Sequence, residues 1–250
     1  MGRGSRAAAG IAVVALAVLA GAAPTLARDR VVAVDGVARS DSSLRVEIVL
    51  AVDERANVKA AADRALDAQN AKPAPPPPQS SAFTLNGLFW NVLPVVQNYN
   101  PAGEAVPGAG SIVTATQSTW SSVPGSAYRI RSGGTTARCP SLVRECRGPQ
   151  VFDGFNDVGW TRLSGSVLGV TWYSTSIDEA DMSINQRFAW STGCTQVPGA
   201  FDLQTVVLHE NGHVAGLGHS GDPNAVMFAS YQTARCALSQ DDINGLATLY

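Results

Sequence analysis

His209-Glu210-Asn211-Gly212-His213-Val214-Ala215-Gly216-Leu217-Gly218-His219 is the stretch on which the reading of this chain turns. A helix advances about 100° per residue, so His209 and His213, four apart, project from one face within reach of a single ion. Glu210 lies beside them without competing for that ion. Gly216 can take a positive φ at little cost, which lets the helix end and the chain turn to bring His219 back as a third ligand. Three imidazoles with a fourth position open are the donor set of a catalytic zinc site. Zinc held in this way makes its water nucleophilic near neutral pH, and Glu210 stands where a general base would take the water's proton and pass it to a leaving amine. The chain contains three histidines. The motif uses all of them, so one catalytic zinc is expected and no second histidine-bound ion.

Working outward, Asp202 sits where a helix cap belongs, and Leu203, Val206, Val207 and Val214 supply an apolar face, which predicts a helix over about 203–215. A closing helix is predicted over about 240–249, with Asp241 and Asp242 in its first turn. Upstream, Ile112, Ala115 and Trp120 share a face of a helix over about 110–122. Tyr128-Arg129-Ile130-Arg131, Val167 to Tyr173 and Ala180 to Ile184 read as strands, with loops at Gly133-Gly134 and Pro140. Residues 81–250 form one domain by this reading.

The N-terminal third has a different texture. Two arginines precede an uncharged run from Ala7 to Ala23, and small residues follow, which is a signal-peptide layout over residues 1–27. Its removal takes two of the 18 basic residues and none of the 20 acidic ones, leaving a mildly acidic chain. With no basic cluster there is no electrostatic footprint for nucleic acid or anionic lipid, which disfavours both as partners, and once the signal segment is removed no stable membrane span is expected. Val31 to Val34 and Leu44 to Leu50 then read as a hairpin, and Asp53 to Ala71 as an Ala-rich helix. Residues 28–72 are taken as a small pro-region or accessory unit, too short for a robust core of its own. The Pro-rich stretch over 73–80 is a stiff linker. Four cysteines in an exported chain favour two disulfides. Cys139–Cys146 and Cys194–Cys236 is the pairing expected, the second bracing the histidine helix from both sides; two other connectivities exist. A monomer secreted to the extracellular space is the expected form.

At this point the sequence resembles the metzincins and, within them, the matrixins. Ser220 directly after the third histidine, together with Gly212 and Leu217, matches the matrixin pattern. Ala225-Val226-Met227-Phe228-Ala229-Ser230-Tyr231 is similar to the family's Met-turn, and Asp241 to Tyr250 resembles its closing helix. The resemblance is strong over 201–250 and diffuse over 83–200. It implies an α+β fold of metzincin type, with a twisted, mixed, mostly parallel five-stranded sheet packed on the active-site helix and a closing C-terminal helix. It implies a zinc-dependent endopeptidase acting on protein or peptide substrates, with Met227 beneath the zinc ligands and Tyr231 as a possible pocket wall. Substrate is expected to lie extended along an antiparallel edge strand, for which Arg187-Phe188-Ala189-Trp190-Ser191 is the candidate. The alternatives are a catalytically silent metzincin-like module that binds zinc and peptide, and an active metzincin outside the matrixins; the intact Glu210 argues against the first, and Ser220 and the Tyr231 spacing against the second.

Two further expectations concern acidic residues. Matrixins held inactive commonly use a pro-region cysteine, but no cysteine precedes Cys139 here. Asp35, Asp41, Glu47, Asp53 and Glu54 are read as solvated surface carboxylates, so any inhibition by residues 28–80 is expected to come from covering the cleft. Calcium is possible but unsupported: Asp153, Asn156 and Asp157 are too few oxygens for a hard cation and read as a solvated turn.

Overall fold

A computed structural model describes residues 29–75, 82–147, 149–231 and 233–250. Residues 1–27, expected to be a signal peptide, and most of the stretch expected to be a linker lie outside these residues. Five strands carry the C-terminal part: β4 (Val95–Tyr99), β5 (Ile130–Thr135), β6 (Asn156–Thr161), β7 (Val167–Ser174) and β8 (Ala180–Asn185). They run in the order β5-β4-β6-β8-β7, the first four parallel and β7 antiparallel to β8. This is the mixed five-stranded sheet that the resemblance to the matrixins implies. Helices α2 (Ala109–Ser121), α3 (Leu203–Val214) and α4 (Gln240–Leu249) complete this part.

The sheet does not stop at five strands. β1 (Asp29–Ala38) and β2 (Leu44–Asp53) form the expected hairpin, but β2 lies antiparallel along β7 and extends the sheet to nine strands. Two short strands, β3 (Ala71–Pro73) and β11 (Ser230–Tyr231), pair with the far side of β1. β2 is therefore an interior strand, which explains its nearly unbroken apolar run from Val46 to Val52. One face of that run, Val46, Ile48, Leu50 and Val52, packs with α1 (Val58–Ala68) and with Val143, Leu163, Val167, Val170 and Trp172 of the C-terminal part. The other face, Val49 and Ala51, joins the core under α3. Residues 29–75 thus bury their apolar surface in cores shared with the rest of the chain, which resolves how so short a unit is held.

Several boundaries differ from the sequence reading. The helix expected over 53–71 begins later, because Asp53 ends β2 and Asn57 caps α1 by accepting the amide of Ala60 at 3.0 Å. Arg187–Ser191 does not form an antiparallel edge of the large sheet: Trp190–Ser191 pairs in parallel with Phe201–Asp202, as β9 with β10, in a separate two-stranded sheet. The antiparallel member of the five strands is β7. Strands β4 and β6 went unread because their amides and acid, Gln97, Asn98, Asn156 and Asp157, look like loop residues. The solvated turn expected at Asp153, Asn156 and Asp157 is corrected at the last two, which open β6 and are buried, while Asp153 stays in the loop before it. Asp157 is buried against Arg138 at 2.7 Å, while Asn156 bonds the backbone of Val96 and Ala180. Those oxygens are committed to protein partners.

Both expected disulfides are present, Cys139–Cys146 and Cys194–Cys236, with Cα separations of 5.8 and 5.9 Å. The second joins the segment before α3 to the segment after Met227.

Candidate metal centre

Helix α3 carries two of the three histidines, and its ends are fixed locally. Asp202 accepts the Thr205 amide at 2.8 Å and the Thr205 hydroxyl at 2.7 Å, the cap expected from sequence. At the other end Gly216 has φ of 100°, the Leu217 amide donates to the Gly212 carbonyl, and the chain turns back toward the sheet. A Cβ at Gly216 would stand 2.5 Å from the carbonyl oxygen of Leu88, so the turn needs glycine twice over.

Each histidine is oriented by its outer nitrogen. Nδ1 of His209 donates to the Val226 carbonyl at 2.7 Å and Nδ1 of His213 to the Leu217 carbonyl at 2.8 Å. Nδ1 of His219 faces Oδ2 of Asp35 at 3.0 Å. A carbonyl can only accept, so the proton sits on Nδ1 and the Nε2 lone pairs point inward. Nε2 of His209 and His213 are 3.1 Å apart.

The fourth member of the cluster is Glu47. Its Oε1 lies 3.1 Å from Nε2 of His219, 3.8 Å from that of His213 and 3.9 Å from that of His209. All four donor atoms fall within 4.8 Å of one another. A tetrahedral zinc with bonds of about 2.0–2.1 Å places its donors about 3.3 Å apart, close to these separations. The donor set therefore fits zinc. It also contains what a cation would balance: Oε2 of Glu47 and Oε1 of Glu210 are buried with no hydrogen-bond partner among the described residues.

The solvated role expected for Glu47 and Asp35 is overturned. Glu47 is completely buried and Asp35 is half-buried against His219, whereas Asp41, Asp53 and Glu54 are exposed as expected. Strand register explains it. Asp35 stands directly opposite Glu47, and Glu47 opposite Thr171, so the three side chains form one row across β1, β2 and β7 facing α3. Thr171 in turn donates its hydroxyl to Oε2 of Glu210. The one signal in the sequence was a single acid inside the apolar run Val46 to Val52.

The electrostatics follow from burial and crowding. Burial pushes the Glu47 carboxyl up, with the attraction of His219 working against it. Glu210 is pushed well up by burial and by the nearby charge of Glu47. Burial and the two neighbouring imidazoles hold His213 well below its ordinary value. His219 goes the other way: burial alone would lower it, but Glu47 and Asp35 together raise it well above. The same contact holds Asp35 below the usual carboxylate range, although burial opposes this.

Met227 is buried beneath α3, where a Cβ on Gly212 would overlap its Sδ and come within 2.8 Å of Trp120 Cζ2. Its amide and that of Val226 donate to the two oxygens of Asp242, at 3.1 and 2.9 Å. Asp242 also caps α4 jointly with Ser239, and so ties the closing helix to the carbonyl that orients His209. Asn211, inside the motif, belongs to a buried chain in which Gln117 donates to Gln97, Gln97 to Asn211, and Asn211 to Thr116. Sequence reasoning assigned neither role. Tyr231 pairs with Val31 through its backbone, and its side chain lies outside the described ones.

Comparison with known proteins agrees with this geometry. The matrixin family model matches residues 147–250. Metalloendoproteinase 1 of Glycine max is 32% identical over 139 residues, covering 53% of this chain and 42% of that protein. Matrix metalloproteinase-20 of Homo sapiens is 30% identical over 159 residues, 62% of this chain and 30% of that one. Neutrophil collagenase of Homo sapiens is 41% identical over 59 residues, 22% and 13% respectively. The chain spans less than half the length of these relatives. The three histidines, the helix that carries two of them and the closing helix all lie inside the matched segment, so residues 147–250 are similar to the matrixin family and matrixin-like in their fold.

Proposed function

We propose that the chain is a secreted zinc endopeptidase in which His209, His213 and His219 hold one zinc ion and Glu210 is the general base. The observation that carries this is the convergence of three inward Nε2 atoms beside a buried carboxylate that keeps one oxygen free. Zinc bound there supplies Lewis acidity toward water and toward the scissile carbonyl. Glu210, its Oε2 held by Thr171, takes the proton of the attacking water on Oε1 and returns it to the leaving amine. Substrate in an extended conformation would take the edge of β7, the strand that bears Thr171, which β2 occupies in this structure, so its affinity would come from backbone hydrogen bonds. Export is supported by the signal layout of residues 1–27 and by the two disulfides, and no helix among the described residues is long and apolar enough to cross a membrane.

The test uses denatured casein and protein nicked by elastase, which is then quenched with a serine-protease inhibitor. One zinc per chain and chelator-sensitive cleavage are expected, with Glu210→Ala losing at least about 100-fold in turnover while keeping its zinc. Zinc-loaded, nicked protein that leaves casein intact, or full activity in Glu210→Ala, refutes the reading.

A further inference from the structure

We propose that Glu47 is the fourth ligand of the metal and that residues 29–75 are a built-in inhibitory segment, with β2 lying where substrate would lie on β7. The inhibitory part rests on the peptidase reading above; the ligand assignment does not.

Three observations carry it. The first is chemical. Glu47 is the only charged residue between Val46 and Val52 and is fully buried; its Oε1 faces the Nε2 atoms of the three histidines, and its Oε2 has no hydrogen-bond partner among the described residues. A carboxylate taken out of water costs several kcal/mol unless a cation or several donors compensate it. Asp35 stands directly opposite it across the strand pair, and Glu210 is a further fully buried acid with an unpartnered oxygen, so three carboxylates crowd the histidines. A divalent ion among Glu47 and the three histidines would balance them: Oε1 of Glu47 lies 3.1–3.9 Å from the three Nε2 atoms, and all four donor atoms fall within 4.8 Å of one another, a spacing that zinc can draw together.

The second observation is the strand. β2 pairs with β7 from Leu44 opposite Ser174 to Leu50 opposite Val167, and so consumes the edge that an extended peptide requires. Glu47 lies opposite Thr171, the residue that touches Glu210, so the carboxylate arrives at the point along β7 where a scissile carbonyl must sit. Ligation and strand occupancy block the same site together.

The third is packing. Val46, Ile48, Leu50, Ala61, Ala65 and Leu66 share a core with Val167, Val170 and Trp172. Burial of this size holds the segment in place until the chain is cut between it and the rest, a peptide-bond hydrolysis that consumes one water. A cavity of about 270 Å³ beside Asp35, Tyr173 and His219 is the part of the cleft the segment leaves open.

The experiment uses the full chain. Cobalt(II) replaces zinc, and its visible bands report the ligand set directly, while zinc loss to dipicolinate is timed in parallel. Glu47→Gln is expected to shift the bands and to speed zinc loss at least about 10-fold. Glu47→Asp, one methylene shorter, is expected to fall between, and thermal unfolding of each variant confirms that it is folded. Full-length wild type is expected to cleave casein at least about 10-fold more slowly than the nicked protein. Unchanged cobalt bands and unchanged zinc loss in both folded variants overturn the ligand assignment. Equal cleavage by intact and nicked wild type overturns the inhibitory role. A shifted spectrum with no cleavage by any form removes the peptidase reading and leaves Glu47 as a ligand.

Discussion

Oε1 of Glu47 and Nε2 of His219 stand 3.1 Å apart although 172 positions separate them in sequence. The contact exists because β2 is an interior strand: its register with β1 and β7 puts Asp35, Glu47 and Thr171 in one row, and that row faces the helix bearing His209, Glu210 and His213. The N-terminal hairpin is thereby part of the metal centre's wall.

Metal removal should therefore loosen the whole chain. Buried Glu47, Glu210 and three imidazoles lose the charge that balances them, and any ligand bound only by the folded state stabilises it by mass action. At free zinc about 1,000 times its dissociation constant the stabilisation is about 4 kcal/mol. Urea unfolding with and without chelator measures it, and coincident curves contradict the site.

Gly212→Ala should destabilise despite favouring helix. Alanine gains about 1 kcal/mol of helix propensity, but its methyl would overlap Met227 Sδ and press on the rigid indole of Trp120. A net loss of about 1–2 kcal/mol is expected in denaturant unfolding. A stabilised variant would show that Met227 does not pack beneath the helix as described.

Asp242→Ala removes the acceptor of the Val226 and Met227 amides and half of the α4 capping box. Charge-assisted hydrogen bonds of this kind contribute about 1.5–3 kcal/mol each, and leaving two buried donors unpaired should cost about 3 kcal/mol or more. Zinc affinity should fall as well, because the Val226 carbonyl orients His209. Asp242→Asn, which keeps one acceptor, should lie between, as read by unfolding and by competition with a fluorescent zinc chelator.

Asp181 gives a pH signature. Its carboxyl is pushed well up by burial, with the charge of Glu179 adding to this; Oδ1 accepts the Asp157 amide at 3.1 Å, and Oδ2 has no partner among the described residues. The folded state therefore keeps a proton that the unfolded chain has released, and stability from this group falls as pH rises from the ordinary carboxyl value toward the raised one. Asp181→Asn has no such proton to lose. The variant should be more stable than wild type by about 1–2 kcal/mol at pH 7, and the difference should shrink as pH falls toward 4. A variant less stable at pH 7 would show that the charged form is wanted there.

How much of this was legible beforehand depends on the range of each interaction. His209, Glu210, His213 and His219 sit within eleven residues, and a helix followed by a glycine turn is a local construction, so the motif specifies its own geometry. Asp202 and the Asp241-Asp242 first turn were readable for the same reason. Glu47 was not, because nothing local distinguishes an acid on a solvated strand from one in a strand buried on both faces; only the pairing with β7 decides it. Asn156 and Asp157 misled in the opposite direction, since polar residues in a buried strand look like a loop until their partners are known. The Asn211 chain, reaching to Gln97 and Thr116, is also long-range and left no pattern in the sequence.

Zinc-edge X-ray absorption of the full chain tests the account most directly, since a single spectrum reports the donors around the ion. Four nitrogen and oxygen donors at about 2.0–2.1 Å, with outer-shell scattering from three imidazoles and no sulfur near about 2.3 Å, is the predicted result. A sulfur shell, or six oxygen donors with fewer than three imidazoles, would contradict a centre built from His209, His213, His219 and Glu47.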